Sequence, residues 1–247
     1  VDPTYGMYGV CAEINGVERK SVLLRGDFSL DPDAVLSAVD DHTKLIFLCS
    51  PNNPTSNSLE REAILKILDG APCLVVVDEA YIDFSRNQSL LPLVKEKWNL
   101  VLLQTLSKAW GLAGLRVGYG VMPEELAGYL NRIRQPFNVN SLAQVAARAA
   151  LRDHAFVDRT LRVVHDGLAF LFAALRDMGI RYFPTQSNFF LIDVARDAEA
   201  VFQAMLRQGV IVRSMTGYGY PDYIRVNVGT PEENQRFIEA LKVVLDR

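Results

Sequence analysis

Three short runs constrain this chain more than any other feature: Leu45–Cys49 (LIFLC), Leu74–Val77 (LVVV) and Leu100–Leu103 (LVLL). Each is apolar throughout and none alternates. A strand with one wet face alternates apolar and polar residues. A continuously apolar run suits a strand buried on both faces, as in layered α/β proteins. A fourth strand-like run follows at Val117–Met122. Helical patterns lie between the runs. One opens at Asp31-Pro32, with Asp as the cap and Pro in the first helical position. Another covers Leu59–Leu68, and a third begins near Pro123, with Glu124 and Glu125 where carboxylates favour the helix dipole. The order strand–helix–strand predicts a mostly parallel sheet.

The second half reads differently. Val157, Leu161, Val164, Leu168, Leu171 and Leu175 recur at steps of four and three, predicting one long amphipathic helix stopped by Gly179. Strand-like pieces follow at Asn188–Val194, Val210–Arg213 and Tyr223–Val228, with two more helices among or after them. The last helix opens with Thr230-Pro231-Glu232-Glu233, a capping box combined with Pro in the first helical position. The expectation is an α/β chain with a larger unit over residues 1–136. A long connecting helix and a smaller α+β unit take up residues 137–247.

Charge and cysteine usage narrow the function classes. Against 29 Asp and Glu the chain has 26 Lys and Arg, a net charge of −3, which argues against a nucleic-acid or anionic-membrane binder. No apolar run approaches the ~18 residues of a membrane span. Cys11, Cys49 and Cys73 are odd in number and form no CxxC pair, and His42, His154 and His165 form no ligand cluster. No metal site is expected, and the default compartment is a reducing cytosol. The chain starts at Val1 with no initiator Met and no signal-peptide pattern, as a processed protein or an excised piece would.

Four stretches could carry chemistry. In VVVDEAY, Asp78 and Glu79 end a buried strand, where open α/β sheets bind ligands. A carboxylate there is a helix cap, an Mg²⁺ ligand of a nucleotide hydrolase, or the partner of a cationic heterocycle. The hydrolase needs a G-x-x-x-x-G-K-[ST] loop, which the chain lacks. In TLSKAWGLAGLR, Lys108 follows the third apolar run, with Thr105 and Ser107 beside it and Arg116 eight residues on. A lone lysine there is usually a solvated end residue. Two hydroxyls and a guanidinium nevertheless make a seat for a dianionic phosphate. A lysine beside such a seat and near a strand-end Asp suggests an imine with pyridoxal phosphate. In SPNNPTSN, Asn53-Pro54 marks a turn, and the Asn53 amide could reach a ligand oxygen. Arg225 in YIRVNVGT points away from the face of Ile224 and Val226, and Arg213 in VIVRSM invites the same reading. Each arginine is otherwise an exposed strand-edge residue. Gly118 and Gly120 form a bare GxG, too weak to mark a dinucleotide site.

Together these residues resemble the fold-type-I pyridoxal-phosphate aminotransferases. The stretches PTYGMY (Pro3–Tyr8), SPNNPT, VVVDEAYIDF, TLSKAWGLAGLRVGY and IRVNVGTPEEN are similar to the histidinol-phosphate aminotransferase family across essentially the whole chain. The resemblance implies pyridoxal 5′-phosphate as cofactor, with Lys108 forming the imine and shuttling a proton. Asp78 would pair with the pyridine nitrogen. Tyr81 and Asn53 would contact the ring hydroxyl, Tyr5 would stack on the ring, and Thr105, Ser107 and Arg116 would hold the phosphate. Arg225, with Arg213 as helper, would bind the anionic group of the substrate. The implied reaction is amino transfer between L-histidinol phosphate and 2-oxoglutarate in histidine biosynthesis, by a cytoplasmic homodimer acting on small molecules.

Two departures stand out. Ser56 occupies a position where the family commonly has Gly, which disfavours a positive-φ turn unless the turn is of an ordinary type. The family's N-terminal portion, upstream of PTYGMY, has no counterpart in this chain, and a chain that starts at Val1 is expected to bind cofactor weakly. The rivals are a threonine-phosphate-type decarboxylase or an aromatic aminotransferase on the same scaffold. From a different class, the rival is an inactive fragment that only dimerises or binds a partner. Asn188 and Tyr218 are further pocket candidates.

Overall fold

The computed structural model describes residues 1–246. The chain opens with α1 (Met7–Ile14) and α2 (Pro32–Ser37), the latter capped by the Asp31 carboxylate on the N–H groups of Asp33 and Ala34. The first sheet is then built from β1 (Leu45–Cys49), α3 (Arg61–Gly70), β2 (Leu74–Asp78), β3 (Leu100–Thr105) and β4 (Gly118–Val121). Its order is β1-β2-β3-β4, with the first two pairs parallel and β4 antiparallel to β3. The mostly parallel sheet expected from the apolar runs is present, with an antiparallel edge. Gly118 explains half of the bare GxG: a Cβ there would sit 2.8 Å from the carbonyl oxygen of Gln104, so glycine lets the two strands approach.

Burial of the strands is not symmetrical. On one face Ile46, Leu48, Val75, Val77, Leu100 and Leu102 pack against Ala63, Ile64, Ile67 and Leu68 of α3, and most are fully buried. On the other face Leu45 is 48% exposed and Phe47 only partly covered, so β1 departs from the two-sided burial expected of it. Phe47 is covered by Tyr8 of α1, an element with no counterpart in the sequence expectations.

Helices α4 (Glu124–Ile133) and α5 (Ser141–Ala150) lead into α6 (His154–Asp177), the long helix predicted from the heptad-like spacing. Gly179, at φ +64°, follows its end as expected of a left-handed stop. The second sheet comprises β5 (Arg181–Tyr182), β6 (Phe189–Asp193), β7 (Arg213–Ser214) and β8 (Tyr223–Asn227), in the antiparallel order β5-β6-β8-β7. Helices α7 (Ala198–Arg207) and α8 (Pro231–Leu245) complete it. The strand expected over Val210–Arg213 is corrected. Val210 donates its N–H back to Met205 to close α7, and ladder pairing begins only at Arg213. The capping box at Thr230 and Glu233 is formed as predicted.

Two large apolar cores result, one beneath each sheet. A smaller cluster of Tyr81, Phe84, Ala109, Val157, Val164 and Phe189 joins them through the base of α6. The candidate residues gather at this junction.

Candidate active site

The C-terminal ends of β1, β2 and β3 lie side by side because the three strands are parallel and in register, with Cys49 opposite Asp78 and Asp78 opposite Leu103. The loops leaving those strand ends therefore converge. After β1 comes the Ser50–Asn57 loop, held by the buried Asn52. Its side chain donates to the Pro3 carbonyl (2.9 Å) and to Thr55 Oγ1 (2.7 Å), and accepts from Thr4 Oγ1 (2.8 Å). Sequence reading singled out Asn53 and missed Asn52, whose role is visible only once Pro3 and Thr4 fold against the loop.

Asn53 is a bridge. Its Oδ1 accepts from Arg225 Nη1 at 2.6 Å and its Nδ2 donates to Tyr81 Oη at 3.4 Å. Arg225 arrives from β8, with Ile224 and Val226 buried on the opposite face, as the alternation predicts. The guanidinium lies 4.8 Å from the Phe189 ring, and Phe189 meets Tyr81 edge-on at 5.0 Å. Arg213 is the register partner of Arg225 on β7, so the two arginines sit side by side.

Lys108 follows β3, its Nζ 5.2 Å from the Tyr81 ring centroid. Desolvation, then the positive charges of Arg225 and Arg116, lower its amine pKa, and Asp78 only partly opposes them. Burial pushes the Tyr81 phenol up to about 12, with Arg225 opposing. Burial also lowers Arg225, whose Nε is buried without a hydrogen-bond partner. The buried Asn188 Oδ1 lacks a partner too, and Tyr218 belongs to the short turn that follows β7.

Thr105 Oγ1 accepts the Ser107 N–H at 3.1 Å, which folds this stretch into a tight turn. Arg116 takes a left-handed backbone conformation, φ +55°, and donates to the Ala113 carbonyl at 2.8 Å. Tyr5 is 42% exposed and meets Tyr8 edge-on at 5.6 Å. Glu79, beside Asp78, turns the other way. Buried, it accepts from Ser89 Oγ, the Leu90 N–H and Gln104 Nε2, a structural network.

The electrostatic character is plain. Among the described residues the ion pairs are Lys20–Asp40, Arg25–Asp31, Lys66–Asp33 and Lys97–Asp69. Lys108, Arg116, Arg213 and Arg225 are thus left without a carboxylate partner, an arrangement that suits anionic ligands. No group of His, Cys, Asp and Glu able to hold a metal ion occurs among the described residues. No helix among them is long and apolar enough to cross a membrane.

A mostly parallel α/β sheet with a lysine and a carboxylate at its strand ends, faced by arginines from an antiparallel α+β unit, defines a class, and the chain belongs to the aminotransferase class I and II family, which it matches over residues 1–241. Within that family it is 43% identical over 246 residues to histidinol-phosphate aminotransferase 2 of Pseudomonas aeruginosa, with 98% of this chain and 66% of the relative covered. It is 44% identical to histidinol-phosphate aminotransferase of Desulfotalea psychrophila, covering 97% of this chain and 65% of that protein. The chain thus spans about two thirds of the length of these curated relatives. The fold superposes on histidinol-phosphate aminotransferase from Clostridium acetobutylicum with a TM-score of 0.93 at 24% identity, covering 99% of this chain and 76% of that one. It also resembles L-threonine-O-3-phosphate decarboxylase from Porphyromonas gingivalis, with a TM-score of 0.84 at 26% identity, covering 100% of this chain and 76% of that one.

Proposed function

We propose that this chain carries the catalytic centre of a pyridoxal-phosphate-dependent aminotransferase acting on L-histidinol phosphate and 2-oxoglutarate, giving imidazole acetol phosphate and glutamate. The observation that carries the proposal is Lys108, an amine with a lowered pKa set between a strand-end carboxylate and unpaired arginines. The donor set suits the coenzyme. Lys108 offers the amine and Asp78 a carboxylate for the ring nitrogen. Tyr81 and Asn53 offer donors for the ring hydroxyl, Tyr5 a face for the ring, and Thr105, Ser107 and Arg116 a seat for the phosphate. Membership of the aminotransferase class I and II family supports that choice of cofactor. When bound, the coenzyme supplies an aldehyde and an electron-withdrawing ring that acidifies the bond to the migrating proton.

The remaining chemistry belongs to the chain. Lys108, held neutral more readily than an ordinary lysine, takes and returns the proton at the substrate's amine-bearing carbon. Arg225 binds the carboxylate of glutamate or the phosphate of histidinol phosphate, since a guanidinium fork accepts either dianion or monoanion. Arg213 adds charge from the neighbouring strand, and the unpartnered Arg225 Nε is a donor available for that anion. The hydrogen bonds from Arg225 through Asn53 to Tyr81 connect the anion seat to the ring-hydroxyl seat.

The curated relatives carry the substrate assignment. A cytoplasmic homodimer completes the reading, its self-association supported by the apolar side chains that α4, α5 and their connection leave exposed, among them Ile133 at 77% and Phe137 at 95%. The test is direct. With pyridoxal phosphate the protein is expected to show a near-ultraviolet to visible band that borohydride abolishes, and Lys108→Ala is expected to remove it. Glutamate is expected to accumulate with histidinol phosphate and 2-oxoglutarate. Carbon dioxide from an amino-acid phosphate, without glutamate, would instead identify a decarboxylase.

A further inference from the structure

Asp78 is held at both oxygens. Oδ1 accepts the Ala80 N–H at 2.9 Å and Oδ2 accepts the Tyr8 hydroxyl at 2.6 Å. The first donor belongs to the same strand end. The second comes from α1, seventy residues away in sequence. Two donors on different elements fix the plane of a carboxylate, because rotation breaks one of the bonds.

Tyr8 is itself built in. Its ring stacks on Phe47 with centroids 4.9 Å apart and planes at 21°. Phe47 and Cys49 are two apart on β1 and share a face with Asp78, the register partner of Cys49. Burial, then Cys49 and Asp78, push the Tyr8 phenol well above its ordinary pKa, so it remains a neutral donor with one proton to give. The Cys49 thiol, pushed up to about 12 by burial first and Asp78 next, also stays neutral. Its Sγ donates to the Pro51 carbonyl at 3.4 Å. The phenol donates to the Asp78 carboxylate, the charged acceptor beside it.

We infer that Tyr8 is a positioning residue, acting through Asp78 to aim the carboxylate at the ring nitrogen of the cofactor. The inference rests on the pyridoxal-phosphate reading of the site and deepens it. A role in packing alone predicts something different. A packing residue loses its effect with its ring, whereas a positioning residue loses it with its hydroxyl and only for ligands that have a ring nitrogen.

The experiment compares the purified protein with Tyr8→Phe, which keeps the ring on Phe47, and measures dissociation constants for two probes. One probe is pyridoxal phosphate. The other is its carbocyclic analogue with C–H in place of the ring nitrogen. Tyr8→Phe is expected to weaken pyridoxal phosphate about tenfold, as for one hydrogen bond to a charged acceptor, and to leave the analogue within about twofold. Equal weakening of both probes, or no change in either, overturns the inference and leaves Tyr8 a packing residue. Should the unmutated protein bind pyridoxal phosphate without a borohydride-sensitive band, or not at all, the cofactor reading fails first and this inference with it. Melting temperatures of both proteins show that the comparison is between folded states.

Discussion

Ser56 lies in the left-handed region at φ +66°, fully buried, with its hydroxyl unpartnered. Its carbonyl nevertheless accepts the Gln186 N–H at 2.8 Å, so the turn is held by a contact from the opposite unit of the fold. The turn is thus of the kind glycine serves best, and not the ordinary kind that would have tolerated serine without strain. Ser56→Gly removes both the backbone strain and the orphaned hydroxyl, and is expected to stabilise the protein by about 1 kcal/mol in urea denaturation. Lys108 makes a second prediction. In the unfolded chain its amine keeps an ordinary pKa, while the folded state lowers it. Between those two values the unfolded state binds a proton that the folded state has released, so stability rises with pH across that window and is least favoured by Lys108 below it. Lys108→Met is therefore expected to raise the melting temperature slightly at neutral pH. The gain should shrink as pH approaches the ordinary lysine value of about 10.4. It is small because the side chain is still reached by water. A fall in melting temperature at neutral pH would contradict the assignment. At this scale the sequence named Asn53, Asp78 and Lys108 because polar residues at or just after strand ends stand out against apolar runs, and Arg225 because alternation turns it away from Ile224 and Val226. It did not assign a role to Tyr8 or to Asn52, because the partners of those side chains are brought in from distant segments.

Helix α6 shows how local rules and packing compete within an element. Its apolar spacing was legible, as was its stop at Gly179. Gly167, in its interior, contradicts helix propensity, since alanine there would ordinarily gain about 1 kcal/mol. The structure supplies the reason. A Cβ at Gly167 would lie 2.5 Å from Val228 Cγ1 and 2.7 Å from Asn234 Nδ2, where the chain enters α8. Asn234 is buried and holds both the N–H and the carbonyl of Gly229, so it cannot yield freely. Overpacking of this kind costs about 1–3 kcal/mol and exceeds the propensity gain. Gly167→Ala is expected to destabilise the protein by about 1 kcal/mol in urea denaturation. The start of α8 gives the simpler case. Thr230→Ala removes the capping box and is expected to cost about 1 kcal/mol by the same measurement. Element boundaries were less legible where pairing decides them. Over Val210–Arg213 the β-branched pattern reads as a strand, yet Val210 bonds back to α7 and the ladder begins only at Arg213.

Across the whole molecule, the site exists only where the two sheets meet. Arg225 belongs to β8 and Asn53 to the loop after β1, 172 residues apart, and their 2.6 Å hydrogen bond crosses the junction. Arg225→Met removes the guanidinium from that junction. It is expected to raise KM for 2-oxoglutarate about 100-fold, the loss of about 3 kcal/mol of charge-assisted hydrogen bonding. Steady-state kinetics at varied 2-oxoglutarate check this, and an unchanged KM would remove Arg225 from the anion seat. The sequence by itself determined the apolar strands of the first sheet, the mostly parallel order among them, the long helix, and the kinds of groups that end those strands. Those features follow from hydrophobic periodicity and capping, which act over a few residues. Only the tertiary structure decided that the second face of β1 is covered unevenly, that Ser56 turns left-handed, and that the phenol of Tyr8 reaches Asp78. Each of these depends on which distant segments share a surface, and short-range pattern carries no record of that.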